Sequence, residues 1–396
     1  MDRRDFVETC GCCGAMALLG PALGPALGSA LRAEQGWTPP PRIPRPSPKT
    51  DEGGLWALMD REEERLRQSS FLVRDGALSA YVHAITCRLA QAHCPDVRTY
   101  VVRSPYFNAN MAPNGMMQVW TGLILRAENE AQLAAVIGHE VGHYMARHSV
   151  ERLRDAKSRT AFAHVLGLVP VAGTLAGLGV LAGAFAYSRN HERVADQIGL
   201  ELMAAAGYPP LEASKVWTNL LAELQAEKDW TGDASSRSLL FATHPTEKER
   251  QTKLEAAAKA LGQPDLDPRA PALRQATAPW RQLWLEDELR RRKFGESLAL
   301  LDRLTAADPK DGQASYFLGE AYRLRASDGD GERALAAYQK AAGLPGVPPE
   351  VHRALGVLHR KAGRLPEMRE AFGRYLAARP DAEDAEMIRS YLTEGG

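Results

Sequence analysis

The feature that most constrains this chain is a pair of histidines four positions apart with a glutamate beside the first: His139-Glu140-Val141-Gly142-His143. At 3.6 residues per turn, positions four apart share one helix face. Both imidazoles can therefore close on one ion while Glu140 points at the same cavity. His-Glu-x-x-His on a helix is zinc-hydrolase geometry. The flanks support a helix: Asn129 and Gln132 form an N-capping pair, Leu133, Val136, Ile137 and Val141 recur at helical spacing, and no proline follows until Pro170. Two histidines on an ordinary amphipathic helix is the alternative that the pentapeptide alone leaves open.

The third ligand separates the classes of zinc hydrolase. In metzincins a glycine and a histidine follow three and six residues after the second histidine. Here Ala146 and Ser149 hold those places and His148 is one position out of register, which excludes that class. Further on, His191-Glu192-Arg193-Val194-Ala195-Asp196 sets Glu192 and Asp196 one helical turn apart. Glu192 can supply a carboxylate ligand. Asp196 can accept a hydrogen bond from the far nitrogen of a ligating histidine, fixing its tautomer. A solvated acidic face is the plain alternative, but the apolar residues from Ile198 to Met203 favour the functional reading.

At 396 residues the chain calls for two folded units plus tails. Lys+Arg and Asp+Glu balance at 49 each, so there is no electrostatic reason to expect nucleic acid as a partner. At the N-terminus Arg3-Arg4, Phe6-Val7 and an Ala-, Leu- and Gly-rich run from Ala15 to Leu31 have the order of an export signal. The stretch is similar to a twin-arginine signal, with Asp2 and Glu8 departing from the pattern. Cys10, Cys12 and Cys13 precede the apolar run, whereas a lipid-modified cysteine follows one. Cleavage between Gly28 and Ala33 is expected, so 1–33 is read as the signal and the mature protein as periplasmic; an uncleaved membrane anchor is the alternative.

Removing that segment leaves Cys87 and Cys94. On one unbroken helix they would stand about 10 Å apart by rise, beyond the roughly 7 Å limit for a disulfide. Pro95 disfavours helix at Cys94, and a turn after Gln91 would bring the sulfurs together. A disulfide is expected, with two unrelated thiols as the alternative.

Residues 34–52 form a Pro-rich linker, with six prolines between Trp37 and Pro48, and its extended backbone is expected to be exposed to solvent. A folded unit over 53–262 follows. Leu55, Leu58, Met59 and Leu66 fit one helix face, and Leu78, Tyr81, Val82, Ile85 and Leu89 fit another. Tyr100-Val101-Val102 and Met117-Gln118-Val119-Trp120 read as strands joined across Asn114-Gly115, a hairpin signal. The edge of such a sheet can hold an extended peptide by backbone hydrogen bonds.

With these motifs in order the sequence resembles the HtpX-like and CAAX-prenyl-protease-like gluzincins, and among them the exported BepA-like metallopeptidases with a tetratricopeptide tail. The resemblance covers roughly residues 53–262. It rests on Asn108-Ala109, Pro113-Asn114-Gly115, Glu130 to Ala134 leading into His139 to His143, Glu192 to Asp196, and Thr243-His244-Pro245 with Arg250. It implies a zincin-like domain in which His139, His143 and Glu192 bind one zinc ion and Glu140 is the general base. His244 and Arg250 would line the active site. His244 is also a candidate fourth ligand, because Pro245 keeps it out of a helix and a loop could bring it to the metal. As oxyanion partner or as plug, it carries two open roles; Arg250 has a surface ion pair as its alternative.

Val165 to Ala186 carries no charge over 22 residues, long enough to span a bilayer. One crossing would part the histidines from Glu192, so a lid that touches the membrane surface, or a buried hairpin, is the better reading. After a second Pro-rich joint at 263–279 the chain repeats. Leu318-Gly319 and Tyr322 recur 37 residues later as Leu355-Gly356 and His359, with Tyr338 and Phe372 in matching places. The region 280–396 resembles tetratricopeptide repeats, closed by a capping helix from Asp384 to Leu392. The expected fold is mainly α with a small β-sheet. The expected function is a zinc endopeptidase acting on misfolded or unassembled envelope polypeptides, with the repeats docking on an outer-membrane assembly complex. An assembly chaperone with little proteolysis is the rival.

Overall fold

A computed structural model describes residues 37–155, 187–232, 248–262 and 265–393. The expected export signal, the apolar stretch 165–186 and His244 lie outside the described residues, and so does the side chain of Arg250. No described helix is long and apolar enough to cross a membrane.

Helix α1 (Asp51–Gln68) starts where the Thr50 side chain accepts from Gly53 N, with Asp51 and Glu52 in its first turn and Arg65 and Arg67 in its last. Leu55, Leu58, Met59 and Leu66 are buried, as their spacing predicts. Helix α2 (Gly76–Ala90) is capped by Asp75 and buries Leu78, Val82, Ile85 and Leu89. Gln91 then takes φ +51° and opens a 3-10 turn over Gln91–Asp96. That turn carries Cys94 back to Cys87, their Cα atoms 4.6 Å apart, and the disulfide forms.

The sheet has three strands in the order β1-β3-β2. Strand β1 (Arg98–Val102) runs parallel to β3 (Met116–Trp120), with Val101 opposite Val119. The Asn114-Gly115 hairpin exists, but its first strand is the three-residue β2 (Ala109–Met111), antiparallel to β3, and not Tyr100–Val102. Gly115 sits at φ +88°, and a Cβ there would lie 2.1 Å from the Asp96 carbonyl oxygen, so this turn excludes side chains.

After the short α3 (Thr121–Arg126) comes the central helix α4 (Glu130–Met145), buried on every residue. Asn129 Oδ1 accepts from Gln132 N at 2.9 Å, and Gln132 Oε1 accepts from Glu128 N at 3.1 Å, so the predicted capping pair forms. Helices α5 (His148–Asp155), α6 (Arg189–Ala205), α7 (Glu212–Thr231) and α8 (Lys248–Leu261) follow. Helix α4 packs against α2, α6 and α7.

The C-terminal region is helical, as expected. Helix α9 (Ala270–Thr277) forms inside the stretch read as a joint. The pairs α10 (Arg281–Arg290) with α11 (Phe294–Ala307), α12 (Gly312–Arg325) with α13 (Asp330–Ala342), and α14 (Glu350–Lys361) with α15 (Leu365–Ala378) end in α16 (Ala385–Leu392). The repeated glycines have one cause. A Cβ at Gly319 would meet the Tyr338 ring at 2.5 Å, and one at Gly356 would meet the Phe372 ring at 2.4 Å.

From Pro40 onward the described residues pack as one unit. Arg126, 3 % exposed, bonds Glu223 at 2.6 Å and Glu288 at 2.9 Å, tying α3 and α7 to α10. Burial alone would raise the Glu288 carboxyl, but Arg126 and Arg291 outweigh it and hold it below the ordinary carboxylate range. The Pro-rich segment is extended and partly exposed, as predicted, but it is also fastened: His93 Nε2 donates to Pro40 O at 2.9 Å, Arg42 pairs with Asp96, and Arg45 pairs with Asp60.

Candidate active site

Helix α4 brings His139 and His143 to one face, and α6 crosses it with Glu192 and Asp196 one turn apart. The two helices approach closely because glycine faces the contact. A Cβ at Gly142 would stand 2.9 Å from Ala195 O, and one at Gly199 would stand 3.0 Å from His139 N. The pentapeptide thus supplies the room as well as the ligands.

The three candidate ligands converge. His139 Nε2 and His143 Nε2 are 3.0 Å apart, Glu192 Oε2 is 3.5 Å from the first, and Glu192 Oε1 is 3.4 Å from the second. Tetrahedral zinc with bonds of ~2.0 to 2.1 Å separates its ligand atoms by about 3.3 Å, so the spacing and the two-nitrogen, one-carboxylate donor set both fit zinc. All three residues are buried, and Glu140 beside them is 2 % exposed.

The second nitrogens of the histidines are held by different chemistry. His139 Nδ1 lies 3.0 Å from Asp196 Oδ1, as the i,i+4 carboxylate pair predicts. His143 Nδ1 lies 2.9 Å from His148 Nδ1. An imidazole that ligates through Nε2 carries its proton on Nδ1, so His148 must accept there. Burial first, then His191 and His139, push the His148 imidazole down to about 4, which keeps it neutral and able to accept.

Sequence reasoning had met His148 only as a residue out of metzincin register. Its position follows from Arg147, which takes φ +59° after α4 ends and swings α5 back toward the site. Tyr187 and Trp217 were also missed. The Tyr187 ring stacks on His143 at 3.8 Å with its hydroxyl 2.9 Å from Ser149 Oγ, and the Trp217 ring meets His139 edge-on at 6.3 Å. Neither residue has a local sequence signal, since each reaches the metal helix from a distant segment.

Residues 74–258, the span that holds all these side chains, match the profile of Peptidase family M48. The chain carries a peptidase family M48 domain. Among curated relatives, Mitochondrial metalloendopeptidase OMA1 of Arabidopsis thaliana is 32 % identical over 200 residues, 50 % of this chain and 39 % of that one. Beta-barrel assembly-enhancing protease of Yersinia pestis is 30 % identical over 207 residues, 48 % of this chain and 40 % of that one. The protein of the same name from Escherichia coli K12 is 28 % identical over 162 residues, 37 % and 33 % of the two chains. The chain thus spans about two fifths or less of the length of these relatives. The M48 span begins before α2 and ends in α8, so it takes in the sheet, the metal helix and α6 and stops short of the helical pairs.

Proposed function

We propose that this chain is a zinc-dependent endopeptidase that hydrolyses peptide bonds of misfolded or unassembled envelope proteins in the periplasm. The observation that carries the reading is the convergence of His139, His143 and Glu192 beside a buried Glu140 within an M48 domain. Those three residues would hold zinc, which would supply Lewis acidity toward the scissile carbonyl and toward an attacking water. Glu140 takes the proton of the attacking water and returns it to the leaving amine. Asp196 and His148 hold the imidazoles in the tautomer that ligation requires. His244 or Arg250 meets the charge that develops on the carbonyl oxygen. His244 has a second role in this proposal: as a fourth ligand it would fill the open position and keep the enzyme latent.

The envelope assignment is supported by the signal-like N-terminus and by relatives named for enhancing β-barrel assembly. The C-terminal helical pairs, read as tetratricopeptide repeats, enclose a groove of about 580 Å³ lined in part by Leu289, Tyr316, Phe317, Glu320 and Arg353. A groove with aromatic and charged walls suits a client polypeptide or an outer-membrane assembly complex as partner. The segment 165–186 is the proposed point of peripheral membrane contact.

Casein hydrolysis measured before and after chelation tests the reading. Activity should vanish with the metal and return as zinc is restored to one ion per chain. Cleavage that survives complete metal removal would exclude a zinc mechanism.

A further inference from the structure

A second group of side chains that could hold a metal ion lies apart from His139, His143 and Glu192. His83 and Cys87 stand four positions apart on one face of α2, and the turn at Gln91 returns Cys94 to the same place. One ligand atom from each of the three lies within 4.8 Å of the others. His83 Nε2 is 3.4 Å from Cys87 Sγ, and nitrogen and thiolate ligands on tetrahedral zinc stand about 3.5 Å apart. The other ring nitrogen is already engaged, with Nδ1 3.2 Å from Thr99 Oγ1 on β1. With its Nδ1 proton donated to that hydroxyl, His83 turns the Nε2 lone pair to the sulfurs, the arrangement in which a partner behind the ring orients a ligand.

We propose that His83, Cys87 and Cys94 form a redox-gated zinc site, closed by the disulfide when oxidised and by Zn2+ when reduced. A dithiol reductant of the thioredoxin type passes two electrons and two protons to the disulfide and becomes a disulfide itself, leaving two protein thiols. Zn2+ then displaces the two thiol protons and takes two thiolates and one imidazole, with water in the fourth position. The chain is made in a reducing compartment, where the thiol form precedes the disulfide. All three residues are partly exposed, so an ion can reach them.

Both states perform the same mechanical task. The loop between the cysteines carries His93, and Asp96 follows just after it; these two residues hold Pro40 and Arg42 of the N-terminal strap. Reduction without metal opens that loop, whereas reduction with zinc keeps it closed.

The test uses the full chain with Cys10, Cys12 and Cys13 replaced by Ser, so that Cys87 and Cys94 are the only thiols. After reduction with a phosphine, Co2+ is titrated and thiolate-to-cobalt charge transfer is followed in the near-ultraviolet. His139, His143 and Glu192 offer no sulfur, so this band reports the second site alone. The reduced chain should develop the band to saturation at one cobalt beyond that taken by His139, His143 and Glu192, and Zn2+ should abolish it; the oxidised chain should show none. His83→Ala should weaken cobalt binding by at least tenfold. Thr99→Val, which keeps every ligand, should weaken it by about tenfold. His139→Ala should leave the band unchanged. Absence of the band after reduction, or an unchanged affinity in both His83→Ala and Thr99→Val, would overturn the proposal.

Discussion

At the residue scale, the two candidate metal ligands His139 and His143 are oriented by unlike partners, a carboxylate for His139 and a neutral imidazole for His143. Asp196→Ala should leave the fold intact and lower zinc affinity or activity by roughly 10 to 100-fold, the usual cost of removing a ligand's orienting partner. Isothermal titration with zinc, with circular dichroism as the check on folding, measures it; an unchanged affinity and rate would reduce Asp196 to a surface acid. His244→Ala separates the two roles left to that residue. As a plug it restrains the enzyme, so the variant should cleave casein faster than wild type at equal zinc content. A slower variant would mark His244 as a partner of the oxyanion instead.

Legibility in sequence follows how local each signal is. His139, Glu140 and His143 could be read directly because the helix period alone places them. Glu192 and Asp196 could be read from the same period. The partner of the Asn114-Gly115 turn was misassigned because the dipeptide fixes where a chain reverses, not which strand precedes it. Strand β2 has three residues, too few for an alternation to show. The β1-β3 pairing is parallel, and nothing local encodes it. His148 was missed for a related reason: its approach depends on the left-handed backbone of Arg147, a conformation that an arginine does not advertise.

At the scale of elements, the active site depends on how near α6 can come to α4. Gly142 is the position where that distance is set, since a Cβ there would fall 2.9 Å from Ala195 O. Gly142→Val should force the helices apart and draw Glu192 away from the histidines. Zinc affinity should fall by more than tenfold, while far-ultraviolet circular dichroism stays close to wild type. Full zinc affinity in this variant would show that the two helices have slack. The sequence displayed Gly142 inside the motif, but its reason lies on a helix some fifty residues away.

At the scale of the whole molecule, the C-terminal helices are bolted to the M48 domain by ion pairs, buried at Arg126 and half-exposed at Arg103. Arg126 meets Glu223 and Glu288, Arg303 bonds Glu223 at 2.6 Å, and Arg103 bonds Asp287 at 2.7 Å. A balanced net charge says nothing about such pairing, so composition could not reveal it. Arg126→Met removes one of two arginine partners from each of two buried carboxylates, leaving Glu223 with Arg303 and Glu288 with Arg291, and should cost about 1.5 to 3 kcal/mol in denaturant unfolding. The pH dependence has a defined sign. Glu288 titrates below its ordinary 4.5 in the fold, so its contribution is present above that value and lost as pH falls through the folded value. Wild type should therefore lose stability in that acid window, and Arg126→Met should show a flatter profile. Equal stability of the two proteins at neutral pH would mean that the network is not what joins the halves.

Glu140 is proposed to move the proton at a zinc centre built by His139, His143 and Glu192. The most direct test is casein hydrolysis by Glu140→Gln beside wild type, with zinc per chain measured in both. One zinc is expected in each protein, with a rate lower by several orders of magnitude in the variant, because an amide cannot accept the proton. Equal cleavage by the two proteins at equal zinc content would contradict it.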